Sequence, residues 1–293
     1  MADRIYLVQP DDEGRLLKRV IRGTMGLSHR QFSMLKSSGA LLLDGVPVHA
    51  NAIVHAGQTI SLTLVERPSH CAAPDDAPID ILYQDDDFMV INKPAPLATQ
   101  SSARQPGGTL ENRLSYYFRD CPDFIFRPVN RLDKGTSGLL VVARHAHAQL
   151  LIGRQLHTDA FVRQYLAILC GVPDPPSGVV DLPIRKSDGP TVRREVHPDG
   201  KPARTHYRVL AVSGAHALVQ LQLETGRTHQ IRVHMAAIGC PVFGDFLYGQ
   251  ESELLPRRFA LHCAHLALDH PTTGARLTFD APLPPELQAI LNR

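Results

Sequence analysis

An aspartate two residues after an arginine, in a polar loop that runs straight into an apolar strand, is a placement from which a carboxylate can act. That aspartate is Asp133, in FRPVNRLDKGTSGLLVVAR. The loop RLDKGTSG is polar and carries glycine, and Leu139 to Ala143 reads as a strand. A loop held on a rigid sheet is a common address for catalytic groups. Arg131 lies two positions earlier, so in an extended backbone the two side chains leave one face. Residue type alone favours a plainer alternative: a loop aspartate that caps a turn or pairs with Arg131.

Arg232, in THQIRVH, is the next candidate. On a short helix after the Thr225-Gly226 turn, His229 and Arg232 share one face at i and i+3. Ile231, Met235 and Ile238 form the apolar face, at i, i+4 and i+7. A polar stripe at a helix start suits phosphate binding; a surface arginine covering its own helix fits equally well. Tyr165 is a single tyrosine in the apolar strand FVRQYLAIL, and an ordinary core tyrosine fits that pattern too. His262 and His265 flank Cys263, but no second ligand cluster accompanies them, so no metal site is expected.

The elements that position these residues are legible in outline. Phe88 to Ile91 is a buried-strand candidate, and HAHAQLLIGRQL reads as a helix. HYRVLAV and ALVQLQL read as strands joined by a hairpin at Ser213-Gly214. Earlier in the chain, Leu16, Leu17, Val20 and Ile21 give a helical stripe. Ser28 and Gln31 suit the capping box of a second helix, with Phe32 and Leu35 inside it and Gly39 at its end. Asp44-Gly45 signals a type I′ hairpin, and GQTISLTL alternates as a strand.

The chain has 293 residues, so one large or two unequal domains are expected. Glu66 to Ile79 is rich in Pro, Ala and Asp and reads as a linker. The predicted organisation is therefore a domain at 1–65, a linker at 66–79 and a second domain at 80–293. Net charge is +2, but it is unevenly placed. Between Gly14 and Leu64 stand Arg15, Lys18, Arg19, Arg22, Arg30 and Lys36 against one acid, Asp44. Four of these, Arg15, Lys18, Arg19 and Arg22, would line one helical face, as a footprint on a polyanion would require. A solvated helix face gives the same pattern. The five cysteines, Cys71, Cys121, Cys170, Cys240 and Cys263, are scattered, with no C-x-x-C pair, which argues against a disulfide framework. No segment reads as a signal peptide or approaches the ~18–20 apolar residues of a membrane span, so a cytoplasmic protein is expected.

The second domain resembles the RluA-type pseudouridine synthases, in order from about Tyr83 to Pro284. NRLDKGTSGLLVVAR resembles that family's catalytic motif, RQYLAIL its tyrosine motif, and LETGRTHQIRVHMAAIGCPVFGDFLYG its long third motif. LHCAHLALDHPTTG and TFDAPLP resemble its C-terminal segments. The N-terminal stretch LSHRQFSMLKSSGALLLDGVPV resembles, more loosely, the RNA-binding domain of the fourth small-subunit ribosomal protein.

The resemblance implies an α+β fold, with a mixed, largely antiparallel central sheet, flanking helices and a small N-terminal α/β RNA-binding domain. It implies conversion of uridine to pseudouridine in RNA, without a cofactor or metal. The target would be large-subunit ribosomal RNA, with transfer RNA as the alternative, and the enzyme a monomer. It implies that Asp133 is the nucleophile, Tyr165 stacks on the base and Arg232 pairs with the aspartate. Arg131 would help displace the nucleotide from its helix. Leu139, Leu140 and Ile231 would wall the pocket, and His229 and Arg227 would join the substrate contacts. Asn130, Gln100, Pro96 and Arg163 depart from the family's usual residues. A non-catalytic RNA-binding or ribosome-assembly factor is the rival reading.

Overall fold

A computed structural model of the chain describes residues 2–27, 32, 35, 41–64, 72–121, 123–156 and 158–292. The chain divides into two compact units, Met1–Ser69 and His70–Arg293. Among the described residues no helix is long and apolar enough to cross a membrane.

The first unit is built on a four-stranded antiparallel sheet of β1 (Ala2–Leu7), β4 (Thr59–Leu64), β2 (Leu41–Leu43) and β3 (Val46–Pro47), in that order. β1 was not anticipated. The β2–β3 turn puts Asp44 at φ 51° and Gly45 at φ 79°, both positive, as a type I′ turn requires. Leu17, Val20, Ile21, Phe32, Leu35, Ile60 and Leu62 are buried together. Phe32 and Leu35 are helical, whereas Ser28, Gln31 and Gly39 lie outside the described residues, as do Arg30 and Lys36.

The predicted basic helix face is corrected here. Leu16 is bridged to Ile53, and the Arg15 carbonyl accepts from the Val54 amide, so the chain is still extended at both positions. The helix α1 covers only Leu17–Arg19 and widens into a π turn over Val20–Thr24. Arg15 therefore stands outside the helix, ion-paired with the buried Asp12. Lys18 is half-buried, while Arg19 and Arg22 are exposed.

The second unit centres on a ten-stranded sheet, whose main path runs β10 (Ser177–Asp181), β13 (Arg204–Ser213), β14 (His216–Leu223), β9 (Val162–Cys170), β15 (Leu261–Asp269), β8 (Ser137–Ala143), β6 (Phe88–Lys93) and β5 (Asp80–Gln84). β16 (Arg276–Asp280) extends from β15 and β7 (Arg127–Pro128) from β8. A separate hairpin pairs β11 (Ile184–Lys186) with β12 (Arg194–Val196). Among these pairings β8 with β15 is parallel and the rest are antiparallel.

Every residue of β8 is buried, which explains why SGLLVVA shows no alternation. The helix α3 (Ala146–Gln155) packs on β7, β8 and β15. α4 (Gln230–Ala237) packs on β12 and β13, and α5 (Pro285–Leu291) on β14. α2 (Leu110–Tyr117) opens with a capping box, in which Thr109 and Asn112 satisfy each other's backbone amides. Residues 72–79, read as linker, are tied to this helix. Asn112 Nδ2 donates to the Ala73 carbonyl (2.7 Å), and an Arg113 guanidinium nitrogen donates to that of Pro78 (2.9 Å).

Candidate active site

Asp133 sits at the foot of β8, in a loop braced by the chain that follows β6. The Thr99 hydroxyl donates to the Leu132 carbonyl at 2.8 Å, and the Leu97 amide donates to the Lys134 carbonyl at 2.9 Å. Asn130, one of the departures, accepts from the Val141 amide through Oδ1 at 2.9 Å, pinning the loop to β8. Within the loop the Thr136 amide donates to the Asp133 carbonyl. Lys93, fully buried at the end of β6, donates to the carbonyls of Pro94 and Leu97 at 3.0 and 2.7 Å. The foot of β8 is close-packed because Gly138, at φ 104°, faces Cys263 of β15. A Cβ there would sit 2.6 Å from the Cys263 nitrogen.

Arg232 links two carboxylates. Nε and one terminal nitrogen donate to Asp245 at 2.7 and 2.8 Å, in a bidentate pair. The other terminal nitrogen donates to Asp133 Oδ2 at 3.1 Å. Asp245 is fully buried and also accepts from the amides of Leu247 and Tyr248. The guanidinium carbon lies 4.0 Å from the Phe259 ring centroid and 5.0 Å from that of Tyr248. Burial opposes the charge on Arg232, but Asp245 and Asp133 together hold its pKa above the ordinary arginine value. Asp133, with 28% of its side chain exposed, is the member of the trio open to a ligand.

The expected amphipathic helix is thus corrected. Gln230 through Met235 are all buried, Arg232 included. His229 is the cap residue, at φ 59°, and points its ring at the same carboxylate. Its Nε2 lies 3.9 Å from Asp133 Oδ2, and its Nδ1 is 2.8 Å from the Tyr248 hydroxyl. That hydroxyl accepts from the Arg194 amide at 2.8 Å, which leaves its own proton for His229 Nδ1. Burial lowers the pKa of His229, against the pull of Asp133.

Tyr165 of β9 is buried beside Cys263, and burial pushes its hydroxyl pKa up, with Asp133 among the charges acting on it. The structure therefore brings Arg232 and His229 to the Asp133 carboxylate, while Tyr165 lies on β9 paired with Cys263. Ile231 is buried next to Arg232, and Arg131 is exposed beside Asp133. Leu139 and Leu140 are both fully buried, but as neighbours on a strand they face opposite sides, so both cannot wall one pocket. Arg227 donates to the Pro202 carbonyl at 3.0 Å, and among the described residues no side-chain hydrogen bond or ion pair joins it to Asp133. His262 and His265 are engaged elsewhere, His262 with Ser137 (2.8 Å) and His265 with Asp280 (2.7 Å). Asp245, Tyr248, Phe259 and Lys93 were missed. Asp245 and Tyr248 lie in the GDFLYG stretch of the third motif, where an acid thirteen positions after an arginine gave the only signal.

Residues 87–237, just over half the chain, match the family model for RNA pseudouridylate synthase. A relative from Chloroflexus aurantiacus, named as an uncharacterized RNA pseudouridine synthase, is 40% identical over 299 residues, spanning 99% of this chain and 93% of the relative. This chain belongs to the RNA pseudouridine synthase family. The ribosomal large subunit pseudouridine synthase D of Xanthomonas campestris pv. campestris is 38% identical to this synthase over 282 residues, 90% of the chain and 84% of that protein. Among solved structures, human RNA pseudouridylate synthase domain containing 1 aligns with a TM-score of 0.59 and 28% identity, covering 76% of the synthase and 90% of the human chain. The second unit accordingly has the pseudouridine synthase fold, and the RluA-type reading of its motifs holds.

Proposed function

We propose that this synthase isomerises uridine in large-subunit ribosomal RNA, with Asp133 as the nucleophile on a nucleotide flipped out of its stack. The observation that carries the reading is the Arg232 bridge. It fixes a partly exposed carboxylate at 3.1 Å and sets a buried guanidinium beside it as counterion. In the proposed reaction an Asp133 oxygen bonds to the ribose anomeric carbon as the bond to uracil N1 breaks. The uracil then turns, bonds through C5 and displaces the carboxylate. C5 loses a proton and N1 gains one, so the product is an isomer and no outside reagent is consumed. Tyr165 supports the base, and Arg131, exposed at the loop, takes the space the nucleotide leaves. Unstacking costs a few kcal/mol.

The choice of RNA rests on the relatives. Proteins named ribosomal large subunit pseudouridine synthase D, from Xanthomonas campestris pv. campestris, Pasteurella multocida and Pseudomonas aeruginosa, are each 38% identical to the chain. In the first unit Arg19 and Arg22 are exposed, and Lys18 is half-buried. This unit, residues 1–65, would act as a ribosomal-protein-like RNA-binding domain, contributing phosphate contacts that carry little sequence information.

Carbodiimide mapping of pseudouridine in total RNA tests the proposal. Cells lacking the protein and cells carrying Asp133→Asn are compared with the parent. Loss of the same large-subunit sites in both supports it. Sites lost only in the deletion would remove Asp133 from its role, and lost transfer RNA sites would redirect the target.

A further inference from the structure

The hairpin β11–β12 carries an arrangement that the fold alone does not favour. In its register Lys186 stands directly opposite Arg194, and Arg185 opposite Glu195. The second rung is neutralised: Arg185 Nε donates to Glu195 at 2.7 Å and also reaches Asp188 at 3.5 Å. The first rung is two cations face to face, an arrangement that destabilises a strand pair. Among the described residues no carboxylate pairs with Lys186 or Arg194, and none pairs with Arg104. Some other arginines of the unit do hold acids, Arg204 with Asp181 and Glu224 and Arg276 with Asp269, while the exposed Arg193 and Arg208 do not among the described residues.

These three unpaired cations line a single cleft of about 410 Å³, together with Thr191, Thr228 and His229. The cleft runs between the hairpin and the Ser102–Gln105 turn, which carries Arg104. Two of its lining residues, Arg194 and His229, connect it to the surroundings of Asp133. The Arg194 amide donates to the Tyr248 hydroxyl, that hydroxyl meets His229 Nδ1, and His229 Nε2 lies 3.9 Å from Asp133. A cation-lined cleft whose wall residue His229 also lies 3.9 Å from Asp133 fits a polyanionic strand that passes beside the site.

We propose that this cleft is the phosphate track for the RNA strand flanking the target uridine, with Arg104, Lys186 and Arg194 each taking a backbone phosphate. The proposal rests on the synthase reading for the identity of the polyanion. The like-charge rung of the hairpin is the stability cost of keeping two cations available, and RNA phosphate offsets it on binding.

The test uses the full chain carrying Asp133→Asn, so that binding is read without turnover. The probe is a fluorescein-labelled unmodified transcript of a large-subunit ribosomal RNA fragment, titrated at several salt concentrations. Replacing Arg104, Lys186 and Arg194 together by Ala is expected to weaken binding at least tenfold. The slope of log affinity against log salt should fall by about 2, as loss of three single-strand phosphate contacts requires. Lys186→Glu in the same background separates binding from folding: it places a carboxylate opposite Arg194, so its melting temperature should not fall while RNA affinity does. An unchanged salt slope in the triple variant would overturn the phosphate track, whether or not affinity changed. Failure of the parent enzyme to form pseudouridine in any RNA would instead strike the synthase reading, which this binding measurement does not use.

Discussion

Arg232 is 2% exposed and bonded to two carboxylates, whereas Arg19 and Arg22 of the first unit are exposed and pair with no acid among the described residues. The same side chain serves opposite ends. Inside the pocket its charge is fully committed to the protein and holds another group in place. On the first unit its charge faces solvent, where it is screened and worth little to the fold, but where, on the proposed reading, it would draw a polyanion. Burial and pairing, not residue type, separate the two uses.

Asp133→Asn bears hardest on that comparison, because it removes the group that the buried arginine serves. Turnover should drop by at least about 10³-fold while RNA affinity stays within a few-fold, measured by pseudouridine yield and by RNA titration. Retained turnover would make Arg232 an arginine without a catalytic client. Arg232→Met comes next. Turnover should fall about 10²–10³-fold. Because Asp245 would be left buried and uncompensated, urea unfolding should also show a loss of about 3–5 kcal/mol. Adding Asp245→Leu should return much of the stability and none of the turnover; joint recovery would mean that the pair is purely structural.

A third substitution concerns a cation that is buried without a carboxylate bonded to it. Burial pushes Lys93 from 10.5 down to about 7, against the pull of Asp133. Between those values the unfolded chain holds a proton that the folded chain lacks, so the Lys93 contribution to stability should rise with pH from about 7 to about 10.5 and be level outside that window. Chemical unfolding across that range should show the rise in the parent and a flatter curve in Lys93→Met; parallel curves would mean that Lys93 does not titrate there. The smallest effect belongs to the exposed cations. Arg19→Ala with Arg22→Ala should reduce RNA affinity a few-fold and the salt slope by about 1–2, with the melting temperature unchanged. An unaltered slope would leave the first unit without a part in capture.

The strands of the second unit were legible because β8, β9 and the β13–β14 hairpin carry long apolar or alternating runs bounded by turn residues. The carboxylate of the site was legible through its motif. Less of its setting could be read. Periodicity placed Ile231, Met235 and Ile238 inward, yet α4 is wedged between strands and buries its polar side as well, a tertiary effect that no helical wheel contains. Asp245 meets Arg232 through a turn, and Lys93 reads as an ordinary strand-end lysine until its burial is known. The short rungs of β11–β12 carry too few residues to show a period. At the other end of the chain, an even i, i+3, i+4, i+7 spacing suggested a basic face that the extended backbone at Arg15 and Leu16 does not form.

The bidentate hold of Asp245 on Arg232 has a consequence for the balance of charge along the reaction. With the pocket empty, two carboxylates and one guanidinium carry a net −1. When Asp133 is esterified to the ribose, on the proposed route, that charge disappears and the remaining pair is neutral. Arg232 keeps its counterion throughout, so no lone cation is stranded beneath the sugar and nothing below it has to move. The aspartate can enter and leave a covalent bond while its support stands still.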